Sequence, residues 1–133
     1  MTFSLDDRAA VTDLINRHGH LVDRGEFDRL GELFTDDATY DVTDLGGGIL
    51  TGTAAMATAA LALGDRNPVG HHVTNIVVSE AGDDRATAWS KGLGVTADGR
   101  VGSVTYEDTV VRTPAGWRIS NRVVRARRTP LTR

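Results

Sequence analysis

The second half of the chain limits its fold more than any other feature. Four strand-like runs follow one another: "HHVTNIVVSE" (71–80), "RATAWSKGLGVT" (85–96), "VGSVTYEDTVVRT" (101–113) and "GWRISNRVVRAR" (116–127). The turn signals "AGDD", "ADGR" and "TPAG" separate them, rich in residues that favour tight reversals. Connections this short demand antiparallel neighbours, because a parallel crossover takes a dozen or more residues. The spacing therefore predicts a four-stranded meander.

The first half is helical in pattern. Val11, Leu14, Ile15, His18, Leu21, Val22 and Gly25 repeat as one stripe, which predicts a helix over 5–24. Ser4 stands as its N-cap, with Asp6 and Asp7 in the first turn where the helix dipole favours acids. After Gly25, "EFDRLGELF" predicts a short second helix with Phe27, Leu30, Leu33 and Phe34 on its apolar face. "DDATYDV" alternates as a strand, "GGGILTG" reads as its hairpin return, and "TAAMATAALAL" as an alanine-rich helix ended by Gly64 and Pro68. Helices first and a meander after is an α+β arrangement. At 133 residues, one domain spanning 1–133 is expected.

Composition removes several function classes. Zero cysteines leave no disulfide framework and no thiolate chemistry, which fits the cytoplasm. No apolar run approaches the roughly 18 residues of a membrane span, and the N-terminus lacks the basic-then-apolar pattern of an export signal. A formal charge of −3 gives no pull toward nucleic acid. The locally basic "RVVRARR" reads as a solvated strand end.

"VGHHVTN" (69–75) holds two of the four histidines. Strand alternation sends His71 and His72 to opposite faces, so only one can enter a pocket and the pair cannot grip one metal ion. His18 and His20 lack ligand spacing; no metal site is expected. His18 sits in the middle of an apolar stripe, where an imidazole needs a hydrogen-bond partner. It is either a core histidine bonded to backbone or a pocket group for a carbonyl or leaving group. Asp23 also has two readings. With Glu26 it spells the capping box D-x-x-E, yet an acid in the last turn of a helix opposes the dipole, and rule-breaking of that kind often marks function.

"LVDRGEFDRLGELFTDDATYDV", "GGGILTG", "HHVTN" and "TYEDTVVRTPAGWRISNRVV" together resemble the SnoaL-like branch of the nuclear transport factor 2-like superfamily, over about residues 5–128. That branch includes scytalone dehydratase, a hexachlorocyclohexane dehydrochlorinase and polyketide cyclases. The resemblance implies a cone-shaped α+β fold, with N-terminal helices on a curved, mostly antiparallel sheet enclosing a pocket. It further implies a catalytic pair, Asp23 and His71, working without a cofactor on a small cyclic or polyketide-like molecule. The imidazole would abstract a proton, and the carboxylate would fix its tautomer. The expected reaction is a dehydratase-like elimination; cyclisation or isomerisation by the same pair is the near alternative.

Substrate-binding candidates are His18, Tyr40, Trp89, Lys91, Ser103 and Asn75. Tyr40 lies on the first strand, where relatives place a pocket tyrosine. Trp89 and Lys91 share one strand face, and Ser103 and Thr105 share one on the next. Each of these is a core or edge group on the plainer reading. A histidine that scytalone dehydratase carries on a later strand is absent here, which argues against scytalone as substrate. Histidines replace the early helix-one tyrosine of the ketosteroid isomerase branch. Proteins of this fold also act without catalysis, as ligand binders or as the β subunit of ring-hydroxylating dioxygenases. A homo-oligomer, dimer or trimer, is expected through the outer sheet face, to which "NIVV" and "TVV" contribute.

Overall fold

A computed structural model describes residues 2–132. Helix α1 (Leu5–Asp23) begins at Ser4 with the full reciprocal cap. The Asp7 amide donates to Ser4 Oγ at 3.1 Å, and the Ser4 amide donates to Asp7 Oδ2 at 2.9 Å. The predicted stripe is its buried face, with Val11, Leu14, Ile15, His18 and Leu21 all enclosed. Gly25, at φ 69°, ends it in a left-handed turn that suits glycine. Its amide reaches the Val22 carbonyl, and the next amide reaches that of Leu21, the paired closure typical of a glycine stop.

The predicted second helix forms as a 3-10 helix, Phe27–Glu32, without a side-chain cap. Phe34 belongs instead to strand β1 (Phe34–Asp41), where it pairs with Ile119. β2 (Ile49–Thr51) returns antiparallel to β1, and α2 (Thr53–Ala62) follows. The meander forms as β3 (Gly70–Glu80), β4 (Arg85–Val95), β5 (Val101–Thr113) and β6 (Gly116–Arg125).

One mixed, open sheet results, ordered β2-β1-β6-β5-β4-β3. Its single parallel contact among the described residues is β1 with β6, a long crossover that uses the whole chain between them. The fold is the cone-shaped α+β arrangement of helices on a curved sheet. Two irregularities bend the sheet and shift which residues face inward. In β3 the register slips between Thr74 and Val77, with Asn75 at φ 56°. In the β5–β6 pair it slips after Thr109, leaving Ser120 unpaired between Ile119 and Asn121. Such bulges accentuate local twist and bend.

The inner face of β4 explains why the sheet does not close onto a filled core. Its alternate residues are Ala86, Ala88, Ser90, Gly92 and Gly94. Gly92 and Gly94 leave space over the second half of the strand, while Ala86 and Ala88 pack into the core with Ile15, Leu30, Phe34, Val110 and Ile119. No helix among the described residues is long and apolar enough to cross a membrane.

Candidate functional site

The space left by β4 is a cavity of about 660 Å³. Its wall is mainly apolar, drawn from α1, β1, α2 and the inner sheet face, including Val22, Leu50, Met56 and Val104. Polar groups break that lining, among them His18, Tyr40, His71 and Tyr106.

His71 enters from the start of β3. Its Nδ1 lies 2.6 Å from Asp23 Oδ1, and its backbone amide donates to Asp23 Oδ2 at 2.9 Å. The carboxylate at the last residue of α1 is thus gripped twice by one residue of β3. Asp23 makes no capping contact with the 3-10 helix; Glu26 instead pairs with Arg29 at 3.0 Å. A carboxylate accepts and does not donate, so Nδ1 carries a proton in this contact, and Nε2 is the ring nitrogen that Asp23 does not engage. Nε2 has no hydrogen-bond partner among the described residues. His72 is exposed on the other face, as alternation requires.

A second cluster lies beneath the first. Arg122 is wholly buried and binds Asp108 with two arms, Nε to Oδ1 at 2.7 Å and Nη2 to Oδ2 at 2.9 Å. Its third arm, Nη1, lies 3.1 Å from His18 Nδ1. The register makes this possible: Arg122 is opposite Asp108 across β5–β6 and opposite Tyr40 across β1–β6. The guanidinium also covers the Tyr106 ring at 4.2 Å. Burial holds the His18 imidazole well below its ordinary pKa, reinforced by the charge of Arg122 and by His71. Burial likewise raises both phenols, Tyr40 and Tyr106, against the opposing charge of Arg122. Burial opposes the Arg122 charge, but Asp108 outweighs it and raises the guanidinium pKa. At neutral pH the site holds a neutral His18, two neutral phenols and a fixed ion pair.

The substrate-binding expectations divide. His18 and Tyr40 line the cavity, and Ser103 contributes at its exposed rim. Trp89, Lys91 and Asn75 do not line it. Trp89 and Lys91 do share a face, but it is the outer one: Trp89 is 64% exposed, and Lys91 donates to Thr105 Oγ1 at 2.9 Å. The inner positions of β4 are the small ones between them. Asn75 is exposed at the β3 bulge, where its oxygen accepts from Thr74 Oγ1 at 2.6 Å. Its left-handed backbone, which asparagine tolerates, lets the strand change phase. Sequence reasoning missed Arg122 and Asp108 altogether, having read the first as part of a solvated tail.

A family model for the SnoaL-like domain matches residues 4–123. An uncharacterised protein of Mycobacterium tuberculosis is 31% identical over 129 residues, covering 90% of this chain and 84% of that protein. A crystal structure of a candidate aromatic ring hydroxylase from Novosphingobium aromaticivorans superposes with a TM-score of 0.78 at 27% identity, covering 97% of this chain and 94% of that one. A candidate scytalone dehydratase from the same organism gives 0.76 at 21% identity, covering 92% and 85%. At that identity the likeness concerns the fold.

Proposed function

The chain belongs to the SnoaL-like domain family, and from that premise we propose that it is a lyase that eliminates water from a small cyclic or polyketide-like molecule, with His71 as general base and Asp23 as its orienting partner. The observation that carries this reading is the 2.6 Å contact between His71 Nδ1 and Asp23 Oδ1 at the wall of an apolar cavity. A base needs a lone pair aimed at substrate and a fixed tautomer; the contact supports both. No cofactor is needed for a proton transfer of this kind. Cyclisation or isomerisation would begin with the same proton abstraction, and the substrate decides between them.

The test is a screen of cyclic β-hydroxy ketones for loss of water, run on the wild type, Asp23→Asn and His71→Gln. Turnover that falls about 10²- to 10⁴-fold in both variants, the usual contribution of a positioned base, supports the reading. Turnover indifferent to His71 refutes it. Binding without turnover of any compound points to a ligand-binding protein.

The outer sheet face supports self-association as part of the same proposal. Val77 and Trp89 are register partners there, 56% and 64% exposed, and exposed apolar surface of this kind favours a partner. Sedimentation of the wild type against Trp89→Glu tests it: a shift to a smaller species is expected.

A further inference from the structure

We infer that His18 is the group that binds the substrate's oxygen: its ring is fixed as a neutral imidazole whose Nε2–H donates into the cavity, and the site therefore takes compounds whose acidic C–H adjoins a carbonyl. This rests on the reading of His71 as the base, and it adds the substrate class.

The tautomer follows from what Arg122 can do. A guanidinium has donors and no acceptor, so the 3.1 Å contact between Arg122 Nη1 and His18 Nδ1 is a hydrogen bond that Nδ1 accepts. A neutral ring that accepts at Nδ1 carries its proton on Nε2. Arg122 cannot easily turn away, because its other two arms hold Asp108 and its side chain is wholly buried. The charged and titratable groups around His18 are Arg122, His71, Tyr40 and Tyr106, with Asp108 behind the arginine. Burial, Arg122 and His71 all disfavour a second proton on the ring.

Nε2 is left with work to do. It has no partner among the described residues. Ser90 Oγ alone among their side-chain nitrogens and oxygens is both sealed off and unpartnered. Nε2 is therefore not sealed, and His18 is part of the cavity wall.

The two histidines thus have opposite tautomers for opposite tasks. Asp23 keeps the His71 proton on Nδ1 and its Nε2 bare; Arg122 keeps the His18 lone pair on Nδ1 and its Nε2 protonated. In the reaction, His71 Nε2 takes the proton from the carbon beside the carbonyl. The C–H electron pair becomes a carbon–carbon double bond, and the carbonyl π pair moves onto oxygen, where His18 Nε2–H holds the developing charge. The enolate then re-forms the carbonyl as the hydroxyl leaves the β-carbon, and His71 returns its proton to that oxygen, giving water. His18 keeps its proton throughout. A preorganised neutral donor at such an oxygen stabilises charge that exists only beyond the ground state. Arg122 and Asp108 act through His18 as positioning residues.

Nitrogen-15 NMR of the protein at neutral pH reads the two rings separately. A pyridine-type Nδ1 and pyrrole-type Nε2 in His18 are expected; protonated Nδ1 in that ring overturns the inference. The reverse pattern is expected in His71, and a protonated Nε2 there would sink the base reading while leaving the donor assignment intact. As a second measurement, 4-nitrophenol serves as an enolate mimic whose absorbance reports its ionised form. Binding as the phenolate should weaken at least about tenfold in His18→Leu, the scale of one hydrogen bond to a charged oxygen. His18→Gln, which keeps an N–H donor, should recover part of it. A wild type that binds the phenolate no better than His18→Leu overturns the inference.

Discussion

Gly19 lies directly against the backbone of His71: a Cβ built on it would sit 2.7 Å from the His71 carbonyl oxygen. A helix carrying any larger residue at that position cannot approach β3 as closely. Because Asp23 is one turn further along α1, this contact sets the reach of the carboxylate to the His71 ring. Gly19→Ala should therefore destabilise the protein by about 1–3 kcal/mol through overpacking, despite alanine's advantage of about 1 kcal/mol in a helix. Urea unfolding measures the balance. A more stable variant would mean that α1 shifts at no cost and that the close approach is incidental.

The buried pair at the floor of the cavity should be far more sensitive to losing one member than to losing both. Asp108→Ala leaves the Arg122 guanidinium enclosed without its counter-charge, and about 3–5 kcal/mol of stability should go with it. The double variant Asp108→Leu/Arg122→Met places apolar groups in the same volume and should cost less than Asp108→Ala alone. Denaturant midpoints for the two proteins give the comparison directly. The double variant should also lose the His18 tautomer, since Nδ1 no longer faces a donor.

Arg122 also shows where the sequence stopped being informative. The meander, α1 and its Ser4 cap were legible because each is written in local periodicity. Which face of a strand looks inward is not local once a bulge intervenes. Alternation from Trp117 and Ile119 points Asn121 inward and Arg122 outward; the extra residue at Ser120 reverses this. The same happens in β3, where His71 and Val73 face in and the phase changes at Asn75 so that Ile76 and Val78 do. The Asp23 and His71 positions came from family resemblance, as no spacing rule connects residues 48 apart. Their contact became visible only through the packing of α1 on β3.

Acid should weaken the fold in two stages. His18 has its folded-state pKa depressed by burial first and then by Arg122 and His71. The unfolded chain binds that proton near pH 6.5, so stability falls as pH drops below about 6.5. Asp7 is depressed by its hydrogen bond to Arg112 first, then by those from Ser4 and Trp117. Glu32 is lowered to about 2 by Arg29 and Arg17. The stability these carboxylates give is present above the unfolded values near 4 and is lost as pH falls toward the folded ones. His18→Gln should flatten the upper stage, and Asp7→Asn the lower, in thermal melts taken from pH 8 to pH 3. An unchanged slope between pH 6.5 and 5 in His18→Gln would show that this ring accepts a proton in the folded protein.

Lys91 and Gly92 are neighbours in sequence with opposite consequences, because β4 turns one to the outer face and the other to the cavity. Lys91→Ala removes a single exposed hydrogen bond to Thr105 and should change stability by no more than about 0.5 kcal/mol. It should leave 4-nitrophenol binding as in the wild type. At Gly92 a Cβ would stand 2.5 Å from Tyr106 Cε2 and 2.8 Å from its hydroxyl oxygen. That ring is packed under Arg122 at 4.2 Å and borders the cavity, so Gly92→Ala must displace it. A cost of about 1–3 kcal/mol and weaker 4-nitrophenol binding are expected together. If Lys91→Ala proved the more damaging to binding, the outer face would be where ligands act, and the small residues of β4 would serve packing alone.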